Sequence, residues 1–205
     1  MSFYRKYILP RATHLTCGMK PMMRQRKKVI PRASGHVLEV GFGSGLNLPF
    51  YDSRNVSKLW GLDPYSEMTK IAEDVVRDAP FEVEILKAPG EEMPLEDRSM
   101  DTIVMTYTLC TIADPQKTFA EMARVLKPEG SLLFCEHGVS PDPSVHSWQD
   151  RLTPIWMRLA GGCHLNRDIP KLITQGGFRI RELETGYVSG LRIASYNYLG
   201  IARFG

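Results

Sequence analysis

From residue 35 onward, short apolar runs alternate with stretches whose apolar residues fall at helical spacing. HVLEV (36–40), KLWGLD (58–63), FEVEIL (81–86), DTIVMTY (101–107) and SLLFCEH (131–137) read as five strands. Met68, Ile71, Ala72, Val75 and Val76 keep helical spacing after the second of them. Asp114-Pro115 opens another helix, with Asp as N-cap and Pro at the first helical position. Phe119, Met122, Ala123 and Leu126 carry that helix to a turn at KPEG (127–130). Repeated strand–helix alternation predicts a parallel sheet covered on both faces. The tail departs from this rhythm. IPKLITQGGF (169–178) reads as a helix stopped by Gly-Gly. FRIRELE (178–184) and RIASYNYLGIAR (192–203) read as a hairpin, so the last pair is antiparallel. Residues 138–168 lie outside the rhythm and hold Pro141, Pro143, Trp148, Pro154 and Trp156. Long excursions of this kind are often lids or binding elements, and this one is expected to cap a substrate site.

Composition adds little to this picture except in the distribution of charge. With 205 residues, 43% hydrophobic and 24% charged, the chain is expected to form one globular domain. No apolar run approaches the ~18 residues of a membrane span, and the first residues carry no signal-peptide core. Cys17, Cys110, Cys135 and Cys163 show no CxxC spacing and no metal-ligand pattern, so reduced thiols in a cytoplasmic protein and no metal are expected. The net charge of +3 conceals a basic segment: residues 1–35 hold nine Lys and Arg and no acid. The reading is a basic helical cap over 1–34 on a domain over 35–205. The cap either meets an anionic partner, such as a membrane surface, or is a solvated helix face.

The strongest local signal is Glu39-Val-Gly41-Phe-Gly43-Ser-Gly45, placed where the first strand is expected to give way to a helix. Glycines there permit a tight turn and close approach of a ligand to the backbone. The spacing G-x-G-x-G, with Leu46 following, departs from the G-x-G-x-x-G of dinucleotide-binding proteins and disfavours a nicotinamide-dependent oxidoreductase. Asp63 ends the second strand, where a carboxylate can accept hydrogen bonds from both hydroxyls of a ribose.

Together these motifs resemble the class I S-adenosylmethionine-dependent methyltransferases over residues 35 to about 137. Glu39 to Gly45 matches their first motif, GLDP (61–64) their second, and PGEEMPLEDRSMD (89–101) the stretch that borders the adenine. FAEMARVLKPEG (119–130) matches their helix and turn before strand five. The resemblance implies a Rossmann-like α/β fold with a seven-stranded, mostly parallel sheet of order 3-2-1-4-5-7-6, its last strand antiparallel, and helices on both faces. It implies S-adenosylmethionine as cofactor and S-adenosylhomocysteine as product, with Glu39, Gly41, Gly43, Gly45, Asp63, Pro64, Gly90, Glu91 and Thr106 as cofactor-binding residues. Many relatives carry an acid where this chain has Pro89, so the adenine amino group must be held from elsewhere. Asp101 and Arg124 also match the pattern, in structural roles.

The acceptor is narrowed next. The position after strand four reads TYTL (106–109), unlike the Asn/Asp-Pro-Pro-aromatic tetrad of enzymes that methylate base amines, and the chain has no RNA-binding module. Nucleic acid is therefore not expected as a partner. Glu136-His137, Trp148-Gln149, LTPIW (152–156) and GGCHLNRD (161–168) resemble the thiol S-methyltransferases of the methyltransferase-like family. That resemblance implies S-methylation of a small alkyl thiol or hydrogen sulfide. Those relatives carry an amino-terminal membrane anchor where this chain has only the basic segment, so surface contact with an anionic membrane is expected in place of insertion. Bacterial phospholipid N-methyltransferases share the fold, which makes phosphatidylethanolamine the alternative acceptor. His137 is the candidate general base, with Glu136 beside it, or else a hydrogen-bonded structural histidine. Tyr107, Trp148, His164, Asn166 and Arg167 are the candidate substrate-binding residues. Trp148 and Trp156, eight apart, either roof the site from one helix face or pack in the core. Cys110 and Cys135 are read as core residues, and Phe3, Tyr4, Tyr7 and Ile8 as a further cap wall or a surface helix.

Overall fold

The computed structural model describes residues 3–205; Met1 and Ser2 of the expected 1–34 segment, and the side chain of Arg5, lie outside the described residues. The strands are β1 (Gly35–Val40), β2 (Val56–Leu62), β3 (Glu82–Leu86), β4 (Met100–Thr106), β5 (Leu126–His137), β6 (Phe178–Tyr187) and β7 (Tyr196–Phe204). They form one seven-stranded sheet of order β3-β2-β1-β4-β5-β7-β6, as the resemblance implies. β1 to β5 pair in parallel, and β7 runs antiparallel to both β5 and β6. The helices are α1 (Leu9–Cys17), α2 (Lys20–Val29), α3 (Ser66–Thr69), α4 (Glu73–Arg77), α5 (Pro115–Val125), α6 (Pro143–Leu159) and α7 (Ile169–Gln175). Among the described residues, no helix is long and apolar enough to cross a membrane.

The central strands are apolar at successive positions because both of their faces are covered. Leu38, Ile103, Met105 and Phe134 pack with Phe119 and Met122 of α5 and Ile169 and Ile173 of α7. Val37, Val104 and Leu133 point the other way, onto Val29 at the end of α2, Ile30, Phe42 and Leu48. Both core helices start on the same device. Asp114 accepts from Lys117 N (3.1 Å) and Asp168 from Lys171 N (3.0 Å), each with a proline in the first turn.

Several local expectations are corrected. No α-helix follows the glycine loop: the chain makes only a 3₁₀ turn at Leu48–Phe50, because Pro49 lacks an N–H and β2 begins at Val56. The helical stretch over 66–77 breaks into α3, a 3₁₀ turn at Lys70–Ala72, and α4. KPEG is a bulge within β5, not a turn before it: Leu126 already pairs with Met100, and regular pairing resumes at Thr102 and Ser131. Residues Arg192–Ala194 form a 3₁₀ turn, so β7 starts only at Tyr196.

One buried side chain ties the two ends of the excursion over 138–168 to each other and to residue 193. Gln149 is fully buried on α6. Its Nε2 donates towards the carbonyls of Gly138 (3.0 Å), Leu165 (3.0 Å) and Ile193 (2.9 Å), and its Oε1 accepts from Ser140 N (2.9 Å). An apolar replacement of similar size strands four backbone groups away from water. Gln149→Leu is therefore expected to lower stability by about 2–4 kcal/mol in urea denaturation. A midpoint equal to wild type contradicts this assignment.

Candidate functional site

The residues that carry chemistry gather at the carboxyl ends of β1, β2, β4 and β5. Two open clefts of about 390 and 360 Å³ lie elsewhere, at the amino-terminal ends of β4 and β5 and beside β6. After β1, Gly41, Gly43 and Gly45 take φ of +75°, +58° and +74°. A Cβ at Gly41 would fall 2.1 Å from Thr108 Oγ1, so only glycine fits there. A Cβ at Gly43 would meet only Met68 Cε (3.5 Å) and Gly41 O (3.9 Å), which leaves an open cradle lined by backbone. Gly43 N donates to Asp63 Oδ2 (2.8 Å) and Tyr65 N to Asp63 Oδ1 (2.9 Å). The nearly buried Asp63 thus fixes the loop and offers its remaining lone pairs at its edge; burial raises its pKa. Pro64 beside it is exposed. Across the edge, Glu91 Oε1 accepts from Asp114 N (3.0 Å), which ties the 89–91 stretch to the start of α5. Gly90 lets that stretch approach Thr118, whose Cγ2 lies 3.0 Å from where its Cβ would be. A backbone cradle followed by a buried strand-end carboxylate fits the methionine and ribose parts of S-adenosylmethionine.

Beneath the loop lies a buried polar network. Asn47 Nδ2 donates to Glu39 Oε1 (2.9 Å) and Thr106 Oγ1 (2.9 Å), and Tyr51 donates to Glu39 Oε2 (2.7 Å). Glu39 therefore binds side chains below the loop, not loop amides. Arg26 of α2 enters the same network, donating to Asn47 Oδ1 (2.8 Å) and to Thr106 Oγ1, and its guanidinium lies 5.0 Å from the Tyr107 ring centroid. Higher up, His14 of α1 bonds Ser44 Oγ (2.7 Å) in the glycine loop. Two further members of the basic run, Lys28 and Arg32, pair with Glu184 and Glu182 of β6. The basic segment is thus partly internal, which neither of its sequence-based readings foresaw.

At the end of β5, Glu136 is fully buried, and both carboxylate oxygens accept from Thr108 N (3.0 Å each). Burial pushes its pKa up to about 7. His137 Nε2 lies 3.3 Å from Cys163 Sγ, while its Nδ1 is buried without a partner. Burial disfavours the imidazolium, but the Cys163 sulfur outweighs it and raises the pKa of His137. Cys163 is drawn down, chiefly by the thiol of Cys110 and further by His137. The reactive atoms of Cys110, His137 and Cys163 all lie within 4.8 Å of one another. Sequence reasoning missed this cluster because its members come from the end of β5 and from two separate loops and share no spacing.

The other expected substrate residues mostly shape this corner. His164 bonds Cys110 O through its backbone N (2.9 Å) and ring Nδ1 (3.0 Å), and Arg167 donates to the carbonyls of Leu109 and Ile112. Both hold the loop that carries Cys110. Tyr107, with φ +53°, turns that loop away from β4 and bonds Asn197 Oδ1 (2.7 Å). Asn166 bonds the Asp150 carboxylate (2.7 Å) at the surface. Trp148 is 54% exposed, whereas Trp156 lies against Cys163 with its indole N–H buried and unpaired, so the two do not share a face.

Glu39 yields a test of the buried network. Burial lifts its pKa from 4.5 to about 7, ahead of the lowering by Tyr51, Arg26 and Asn47. Between those values the folded chain holds a proton that the unfolded chain has lost, so stability from this group falls as pH rises through that window. Between about pH 5 and pH 7.5, wild type should lose about 2–3 kcal/mol more than Glu39→Gln in urea denaturation. Equal slopes contradict it.

Comparison with known proteins agrees with this geometry. Residues 38–134 match the family model described as a methyltransferase domain. The thiol S-methyltransferase TMT1B of Rattus norvegicus is 37% identical over 152 residues, 72% of this chain and 62% of that protein. Its Homo sapiens counterpart is 32% identical over 183 residues, 86% of this chain and 74% of that protein. The chain thus spans roughly two thirds of the length of these relatives. The phosphatidylethanolamine N-methyltransferase of Cereibacter sphaeroides is 32% identical over 105 residues, 50% of this chain and 51% of that protein. A crystal structure of a SAM-dependent methyltransferase from Aquifex aeolicus superposes with a TM-score of 0.64, covering 100% of both chains at 20% identity. The glycine cradle, the strand-end Asp63, the sheet order and these matches make the chain a member of the class I S-adenosylmethionine-dependent methyltransferases.

Proposed function

We propose that this chain methylates the sulfur of a small thiol. One observation carries the reading: two thiols and an imidazole converge at the carboxyl end of β5, beside the loop that touches the glycine cradle. The similarity to proteins named thiol S-methyltransferases supports it. S-adenosylmethionine, when bound, would supply a methyl carbon that an incoming sulfur attacks in line, with S-adenosylhomocysteine as the leaving group. The chain's part is to position and to exclude water. Gly41 to Gly45 and Asp63 hold the cofactor. Glu136 positions residues 107–110 through Thr108 N, and His137 faces Cys163 with neither ring nitrogen free at the surface. A thiol is partly ionised near neutral pH and needs less help from a base than an alcohol does.

Phosphatidylethanolamine N-methylation is the second reading. It is favoured by exposed Phe3, Tyr7 and Leu15 alongside exposed Lys6 and Arg11, a surface suited to an anionic membrane. One experiment separates the two. S-adenosylhomocysteine release is measured with ethanethiol, hydrosulfide, and vesicles of phosphatidylethanolamine with anionic lipid. The expected result is turnover with the thiols and none above background with the vesicles, at low as well as high salt. Turnover confined to the vesicles overturns the thiol reading.

A further inference from the structure

The cluster of Cys110, Cys163 and His137 has the composition of a metal site. All three donors lie within 4.8 Å of one another. A tetrahedral zinc with two thiolates and one imidazole places its ligand atoms ~3.6–3.8 Å apart, so small side-chain rotations suffice. Two thiolates balance a divalent ion, which suits a buried pocket, and soft sulfur donors select zinc over magnesium or calcium. The backbone is shaped for the purpose at two points. Gly161 and Gly162, with φ of +64° and +95°, form the turn that presents Cys163. His164 holds the carbonyl of Cys110 itself, and Arg167 holds those of Leu109 and Ile112 on either side. Independently, the indole N–H of Trp156 is buried, unpaired and set against Cys163, where it can donate to a metal-bound thiolate.

We infer that Cys110, Cys163 and His137 bind a zinc-class divalent cation through three protein ligands, leaving a fourth position for the sulfur of the acceptor. Three protein ligands and one open position is the pattern of catalytic zinc, whereas structural zinc takes four protein ligands. When R–S–H enters the open position, a metal–sulfur bond forms and the thiol proton leaves to solvent. The bound thiolate would then attack the methyl carbon, its S–C bond forming as the sulfonium C–S bond breaks and S-adenosylhomocysteine leaves. The identity of this fourth ligand rests on the thiol reading above; the metal site itself does not.

Cobalt(II) added to the full, reduced, metal-free chain is the probe. One equivalent should bind, giving the visible bands of tetrahedral cobalt and a near-ultraviolet thiolate-to-cobalt charge-transfer band, both removed by one equivalent of zinc. Cys110→Ser and Cys163→Ser should each weaken cobalt binding by at least about tenfold. Cys17→Ser and Cys135→Ser should leave it unchanged, with circular dichroism showing every variant folded. Absence of the charge-transfer band, or its survival at full affinity in Cys110→Ser and Cys163→Ser, overturns the site. Ethanethiol should shift the cobalt spectrum. Full thiol turnover by the metal-free chain overturns the metal's role while leaving thiol methylation intact. Cobalt binding with no spectral response to thiols, and no methylated thiol formed, overturns the thiol reading and leaves the metal site standing.

Discussion

Everything at the cofactor edge depends on a guanidinium placed where water cannot follow. Arg26 is 4% exposed, yet meets no carboxylate directly. Its charge is shared through Asn47 and Thr106 with the buried carboxylate of Glu39. A buried charge without such partners costs several kcal/mol, so the network holds only while each member is in place. Its members come from α2, the ends of β1 and β4, and the segment after the glycine loop. The network therefore couples the amino-terminal helices to the glycine loop. His14 and Ser44 repeat the coupling one layer above, at the loop itself.

The end of β5 rests on a second set of constraints, this time on one loop. Tyr107 leaves β4 with a positive φ, which strains a residue with a Cβ and needs support from its surroundings. Glu136 caps Thr108 N, and Arg167 and His164 hold the carbonyls that follow. These contacts bring Cys110 to His137 and Cys163. His164 and Arg167, two of the expected substrate residues, hydrogen-bond the backbone around Cys110.

Much of this was legible in the residues, for physical reasons that differ by element. The central strands declare themselves because two covered faces demand apolar residues at successive positions along their middles. Asp114 and the glycine loop are local devices, and their chemistry is the same in any fold. The failures arise where tertiary context overrides the local signal. A helix is expected after the glycine loop, but Pro49 and the nearby β2 leave room for one turn only. Arg26 sits in a run of basic residues that reads as one solvated face, and nothing local marks it as the buried member. Cys110 and Cys163 carry no spacing signal, because α6 and Gln149 decide where residue 163 ends up. Trp148 and Trp156 show the same limit: of the two, the one beside the cluster is Trp156.

The most direct measurement is calorimetric binding of S-adenosylhomocysteine to Arg26→Met, with the exposed Arg24→Met as its control. Met keeps the length of the side chain but removes the donors, leaving Asn47 Oδ1 without its donor and Thr106 Oγ1 with one fewer. If the buried guanidinium organises the cofactor edge, Arg26→Met should bind at least about tenfold more weakly while Arg24→Met binds as wild type. A folded Arg26→Met chain with wild-type affinity would show that the glycine loop and Asp63 hold their geometry without it.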